Sequence, residues 1–192
     1  MQFGQQSDFA IEVGDITRYE DRLYCHFRIW IESVPYGDWE SNVSLLSSIV
    51  NTHSFCAYEA TRVDHSFQNM KPEDIFIHVY DSYYMADYSL CDISTSNLRK
   101  HYHLEYIGID SLMDRCGIVL ASPSFHESRL IIKDWVRNGL ITEYRLPFGQ
   151  VERTALQYVE WGVAVLIAAG CVAQDGSWYG QPVGTPNLPV QS

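Results

Sequence analysis

The sequence predicts a single α+β domain, a mainly antiparallel sheet of about six strands with packed helices including an apolar C-terminal helix. Three observations carry this expectation. Two runs near the N-terminus alternate apolar and polar residues with a period of two. An Asn-Gly dipeptide later separates two further strand-like runs. From about residue 151 to 169 the apolar residues take helical spacing and then cover nearly every face. At 192 residues the chain has the length of one ordinary domain with a real core. That domain is expected over residues 1–173. A Gly/Pro-rich tail, extended or disordered, is expected over residues 174–192, where three Gly and three Pro fall in nineteen positions.

Taken in order, Phe9, Ile11 and Val13 begin the alternation, and Leu23, Cys25, Phe27, Ile29 and Ile31 continue it, with Tyr24, His26, Arg28, Trp30 and Glu32 on the opposite face. The polar residues Arg18 to Arg22 look too long for a two-residue hairpin turn, and Pro35 with Gly37 reads as a break. Leu45, Leu46, Ile49 and Val50 mark one face of a helix, with Ser41 or Asn42 as its cap. Phe55, Ala57, Glu59 and Thr61 are compatible with one side of a strand. Pro72, followed by Glu73 and Asp74, starts a second helix with Ile75, Phe76, Val79, Tyr80 and Tyr83 inward. Residues 82–97 are rich in Tyr, Ser and Asp with little periodicity and read as a long surface loop. Residues 101–107 return to alternation, and Gly117 to Ala121 is a short apolar strand. Strand-like runs flank Asn138-Gly139, both of which tolerate the positive φ of a primed turn. Gly170 is placed to stop the last helix.

Composition narrows the function. The hydrophobic fraction is 46%, normal for a folded protein, so disorder is not the default. Asp and Glu number 24 against 13 Lys and Arg, for a net charge of −11. Such a field repels phosphate, so no nucleic-acid partner is expected, and it attracts a basic protein. Cys25, Cys56, Cys91, Cys116 and Cys171 are scattered and form no CxxC pair, which argues against structural zinc or a redox motif. The N-terminus lacks the basic and apolar regions of a secretory signal, and the apolar run from Trp161 is short against the ~20 residues of a bilayer span. A cytoplasmic protein without a membrane partner is the expectation.

No residue set argues for an enzyme. GxSxG, SxxK, GxGxxG and P-loop patterns are missing. Cys25 and His26 are neighbours on a strand and face opposite ways, so they cannot act together. His101, His103 and Glu105 would share a strand face, but three ligands there spread over about 13 Å, too far for one small ion. A metal-dependent enzyme using His101 and His103 is therefore the alternative reading, with a structural adaptor as a third; the main expectation includes no cofactor. The aperiodic segment offers a surface instead. Asp81, Tyr84, Asp87, Tyr88 and Asp92 mix carboxylates with tyrosines, side chains suited to binding a basic protein.

One resemblance goes further. Phe3-Gly4, then Phe9-Ala10-Ile11-Glu12, Phe27, Trp30-Ile31, Gly37-Asp38 and the Leu45-Leu46 helix together resemble a family of bacterial immunity proteins, group forty-two among those of polymorphic toxin systems, of the contact-dependent-inhibition type. The match covers roughly the first quarter of the chain. It departs from the family after Trp30-Ile31, where a turn glycine is usual and Glu32-Ser33 stand instead. The resemblance implies a small cytoplasmic protein, encoded beside a toxin, that binds the cognate toxin domain and blocks it. It implies no catalytic residues.

Overall fold

The computed structural model describes residues 1–81 and 102–172. The α+β expectation holds, and the described strands divide between two antiparallel sheets. The first contains β1 (Gln2–Gly4), β2 (Phe9–Tyr19), β3 (Arg22–Ile31), β4 (Val34–Tyr36) and β5 (Asn42–Ser44). Their order is β1-β2-β3-β4, and β5 also pairs with β3. The second runs β6 (Cys116–Ala121), β7 (Glu127–Asp134), β8 (Leu140–Pro147). Among the described residues four α-helices accompany them: α1 (Leu45–Ala57), α2 (Pro72–Phe76), α3 (Ile109–Leu112) and α4 (Gln150–Ala168).

The β2–β3 ladder organises the main core. Ile11 lies opposite Ile29, Val13 opposite Phe27 and Phe9 opposite Ile31, and all six are buried. Helices α1 and α4 cover this face. The Tyr158 ring of α4 meets Phe27 and Phe3, each at 5.7 Å between centroids, and its hydroxyl donates to Ser48 Oγ at 2.8 Å. Where α1 and α4 cross, Gly162 sits directly against Ile49, with no room for a side chain. In the second sheet, β6 and the middle of β7 are buried on both sides. Ile118, Leu120, Leu130 and Ile132 join the main core, while Val119, Ala121 and Ile131 meet Phe67, Ile75, Phe76, Val79 and Tyr80. That explains why β6 reads in sequence as an unbroken apolar run rather than an alternation.

Local expectations fare unevenly. The β2–β3 connection is a two-residue turn after all: Tyr19 pairs with Arg22, and Glu20 takes φ 56°. The ladder is made by backbone, so it runs on through exposed polar residues past a bulge between Val13 and Ile16. The break expected at Pro35 and Gly37 comes only after Tyr36: Pro35 lies inside β4, opposite Trp30, in a second tight hairpin. Glu32 (φ 46°) and Ser33 (φ 67°) form its turn, and Val34 pairs with Ile31. The cap of α1 is Ser44, whose Oγ accepts from the Ser47 amide at 3.4 Å, rather than Ser41 or Asn42. Residues 54–63 form no strand: α1 runs through Ala57, and Glu59–Arg62 is a 3₁₀ turn. Leu104–Gly108 is also 3₁₀, with Leu104 and Ile107 buried one turn apart, so the alternation read over residues 101–107 is not that of a strand.

The later elements follow the reading more closely. Pro72 opens α2, and the chain continues as a π turn, Ile77–Asp81. Asn138 (φ 59°) and Gly139 (φ 69°) take the positive φ expected of them. Pairing nevertheless stops at Asp134 and Leu140, so they end a longer loop. There Asp134 Oδ1 accepts from the amides of Val136 and Arg137, both at 3.0 Å. Gly170 (φ 68°) closes α4, its amide bonding Ile167 and that of Cys171 bonding Leu166. The tail expected over residues 174–192 lies outside the described residues.

Two backbone predictions follow from the turns. Ser33→Gly relieves a non-glycine residue held at positive φ, and should stabilise the protein by about 0.5–1 kcal/mol after the entropy gained by the unfolded chain. Gly139→Val should cost about 1–2 kcal/mol through backbone strain alone, because the nearest atom to an added Cβ is Lys133 Cε at 3.8 Å. Urea unfolding midpoints moving in opposite directions would bear this out.

Candidate functional site

The face of β3 turned away from α1 and α4 carries a connected set of polar aromatic side chains. Arg28 and Glu12 are cross-strand partners, and Arg28 Nε donates to Glu12 Oε2 at 2.7 Å. The Trp30 indole Nε1 donates to the same oxygen at 2.6 Å. Ala10, across the ladder from Trp30, is fully buried. The Arg28 guanidinium lies 4.7 Å from the Trp30 ring and 4.3 Å from that of Trp39, which arrives from the β4–β5 connection. His26 stacks on Trp39 at 5.7 Å. Gly14, at the bulge, admits the Trp39 ring, since a Cβ there would meet Trp39 Cζ2 at 2.8 Å. Tyr24 continues the row. Apart from Ala10 these residues are half-buried, whereas Asp15, Glu32 and Glu40, close to them in sequence, are exposed.

Electrostatics inside the cluster are set by hydrogen bonding. Burial pushes the Glu12 carboxyl upward, but hydrogen bonds from Arg28 and Trp30 and the Arg28 charge outweigh it, leaving the pKa below the ordinary 4.5. Thus a charged, half-dry Arg28 is held in one orientation by two indole rings and a carboxylate.

Other polar groups serve the interior. Arg62 and Glu152 form a buried ion pair, and Arg62 Nη1 also donates to the Phe55 carbonyl at 2.7 Å. Arg129 pairs with Glu143 at 2.7 Å and donates to the carbonyls of Phe67 and Met70, tying the second sheet to the segment before α2. Burial pushes the Cys25 and Cys56 thiols up to about 12, far from a reactive thiolate. Two clefts, of about 150 Å³ beside Tyr36 and Arg115 and about 210 Å³ beside Ser47 and Asn51, fall short of the roughly 300 Å³ at which small-molecule sites begin.

The sites named from sequence divide as follows. Tyr84, Asp87, Tyr88 and Asp92 lie outside the described residues, and Asp81 ends the π turn. His101 also lies outside them. His103 is in the core rather than on a solvated strand face: its Nδ1 meets Glu105 Oε1 at 2.9 Å, and Glu105 Oε2 accepts from the Ile118 amide at 3.0 Å. The metal reading thus loses its geometry at His103, whose carboxylate neighbour is committed to β6. Arg62, Glu152 and Arg129 were not singled out by sequence, because their partners are far along the chain. The aromatic face was legible in part, since Tyr24, His26, Arg28 and Trp30 alternate with the core residues of β3. Trp39 and Glu12 join them only through the fold.

The fold places the chain in a class. It is similar to the crystal structure of CdiI from Burkholderia dolosa AUO158, with a TM-score of 0.64 and 15% sequence identity over 84% of this chain and 99% of that one. At that identity the likeness shows a shared fold. Among curated proteins, none matches the chain. The family model described as Immunity protein 42 matches residues 1–161, and the chain belongs to that family.

Two measurements probe these polar groups. Glu152→Ala leaves a buried guanidinium without its counter-charge and should cost about 3–5 kcal/mol in urea unfolding. Glu12 gives an acid-side signature. Its folded pKa lies below its unfolded value, so its contribution to stability is present above the unfolded pKa and is lost as pH falls through the folded one. Unfolding midpoints should therefore drop for the wild type below about pH 4.5 and drop less steeply for Glu12→Gln; coincident acid profiles would contradict the assignment.

Proposed function

We propose that this protein binds and neutralises a cognate toxin domain in the cytoplasm, and that the toxin is basic, a nuclease being the class best matched to its charge. The observation that carries this reading is the family match over residues 1–161. Membership in an immunity family implies an inhibitor rather than an enzyme. The net charge of −11 supports the finer part, because an acidic inhibitor complements a surface built to hold phosphate. Among the described residues no helix is long and apolar enough to cross a membrane. In this reading the acidic, tyrosine-rich segment containing Asp81, Tyr84, Asp87, Tyr88 and Asp92 contributes to toxin binding, and its carboxylates speed the encounter.

The test is co-expression of the chain with the toxin domain encoded beside it, followed by association kinetics of the two purified proteins. Growth should be rescued, and association should slow as salt rises, since attraction between exposed charges is screened beyond about 8 Å at physiological ionic strength. Asp87→Lys with Asp92→Lys should slow association several-fold at low salt. Failure of the wild-type chain to bind or protect would overturn the reading.

A further inference from the structure

We propose that the aromatic face of the first sheet, centred on Arg28 between Trp30 and Trp39, is the anchoring surface for the toxin domain, and that its occupant is a basic patch of that domain. The inference rests on the immunity reading above and adds where the partner docks and by what chemistry.

The composition is that of an interface centre. Trp, Tyr and Arg are the residues most enriched among those that dominate binding energy, and here Trp30, Trp39, Tyr24 and Arg28 lie on one sheet face with His26. The core does not require them there. The opposite face of the same strand already supplies Leu23, Cys25, Phe27, Ile29 and Ile31 to the interior, under α1 and α4.

The cluster is also pre-organised. Glu12 takes hydrogen bonds from Arg28 and Trp30 through one oxygen, and the guanidinium is stacked on both indoles. Side chains already held in place lose little further freedom when a partner lands on them, and that loss is a main cost of association. Gly14 and the bulge in β2 admit Trp39 to the stack, so the local backbone irregularity serves this face rather than the core.

The rim identifies the partner. Asp15 follows Gly14, Glu40 follows Trp39, and Glu32 follows Ile31 at the turn beside Trp30; all three are exposed. Arg28 is paired with Glu12, so the centre of the surface is aromatic, with exposed carboxylates at Asp15, Glu32 and Glu40 and the exposed Arg22 beyond Tyr24 at its far end. Lys and Arg of a partner can meet those carboxylates at the edge and stack on the indoles nearer the centre. An acidic partner would meet like charge at Asp15, Glu32 and Glu40.

The experiment measures binding of the purified toxin domain encoded beside this chain to wild type, Trp39→Ala, Arg28→Ala and the double charge reversal Asp15→Lys/Glu40→Lys, with urea unfolding of each. Trp39→Ala and Arg28→Ala should weaken affinity at least about 30-fold, chiefly through faster dissociation. The charge reversal involves only exposed residues, so it keeps the proposal testable even if an aromatic variant unfolds. It should slow association several-fold at low salt, with the difference vanishing near 0.5 M salt, where the screening length falls to about 4 Å. Folded variants that all bind like wild type would overturn this surface while leaving the immunity reading intact. A wild-type chain that does not bind the toxin domain would overturn both.

Discussion

The pairing of β2 with β3 is the constraint on which the rest of the molecule depends. Once Val13 is set opposite Phe27 and Ile11 opposite Ile29, Phe9, Ile11, Val13, Phe27, Ile29 and Ile31 all fall on one face. That face must be covered, and α1 and α4 cover it through Tyr158, Ile49 and the side-chain-free contact at Gly162. A slip of one residue would turn Phe27 outward and bring Arg28 into the core. The register is therefore held by the free energy of burying the whole set.

The second sheet solves a different problem. Its strands β6 and β7 are covered on both faces, by the main core and by the small cluster around Phe67, Phe76 and Tyr80. A layer so enclosed has polar backbone on its flanks to satisfy. Glu105 does this at Ile118, and Arg129 does it at the carbonyls of Phe67 and Met70 while paired to Glu143. Buried charges of this kind earn little net stability, but removing one partner is costly, so they fix which segments lie together. His103 and Glu105, which resemble ligands when read along the chain, belong to this interior bracing.

Functionally, the separation of faces matters most. One side of the first sheet builds the core and the other displays Trp30, Arg28, Trp39 and His26. In the proposal made above, this outer face rather than a cleft meets the partner. The clefts beside Tyr36 and Ser47 are small, and the aromatic row is half-buried. In the proposed docking, the acidic rim and the overall charge would act at longer range than the aromatic centre.

Sequence by itself determined whatever depends on neighbours along the chain. The period-two runs of β2 and β3, the Pro72 start of α2, the positive φ of Asn138 and Gly139 and the stop at Gly170 all follow from local sterics and side-chain alternation. The family, too, was recognisable from residues in the first quarter. Tertiary structure alone decided what local rules leave degenerate. The turns at Glu20 and at Glu32-Ser33 lack the usual glycine, and the ladder imposes their positive φ because the flanking strands over-determine it. The alternation over residues 101–107 gave way to a 3₁₀ turn because Leu104 and Ile107 both find the core there. Arg62 with Glu152, and Trp39 with Arg28, are separated in sequence and joined by packing. Periodicity can say which side of a strand a residue occupies, but only the assembled layers decide which side faces water.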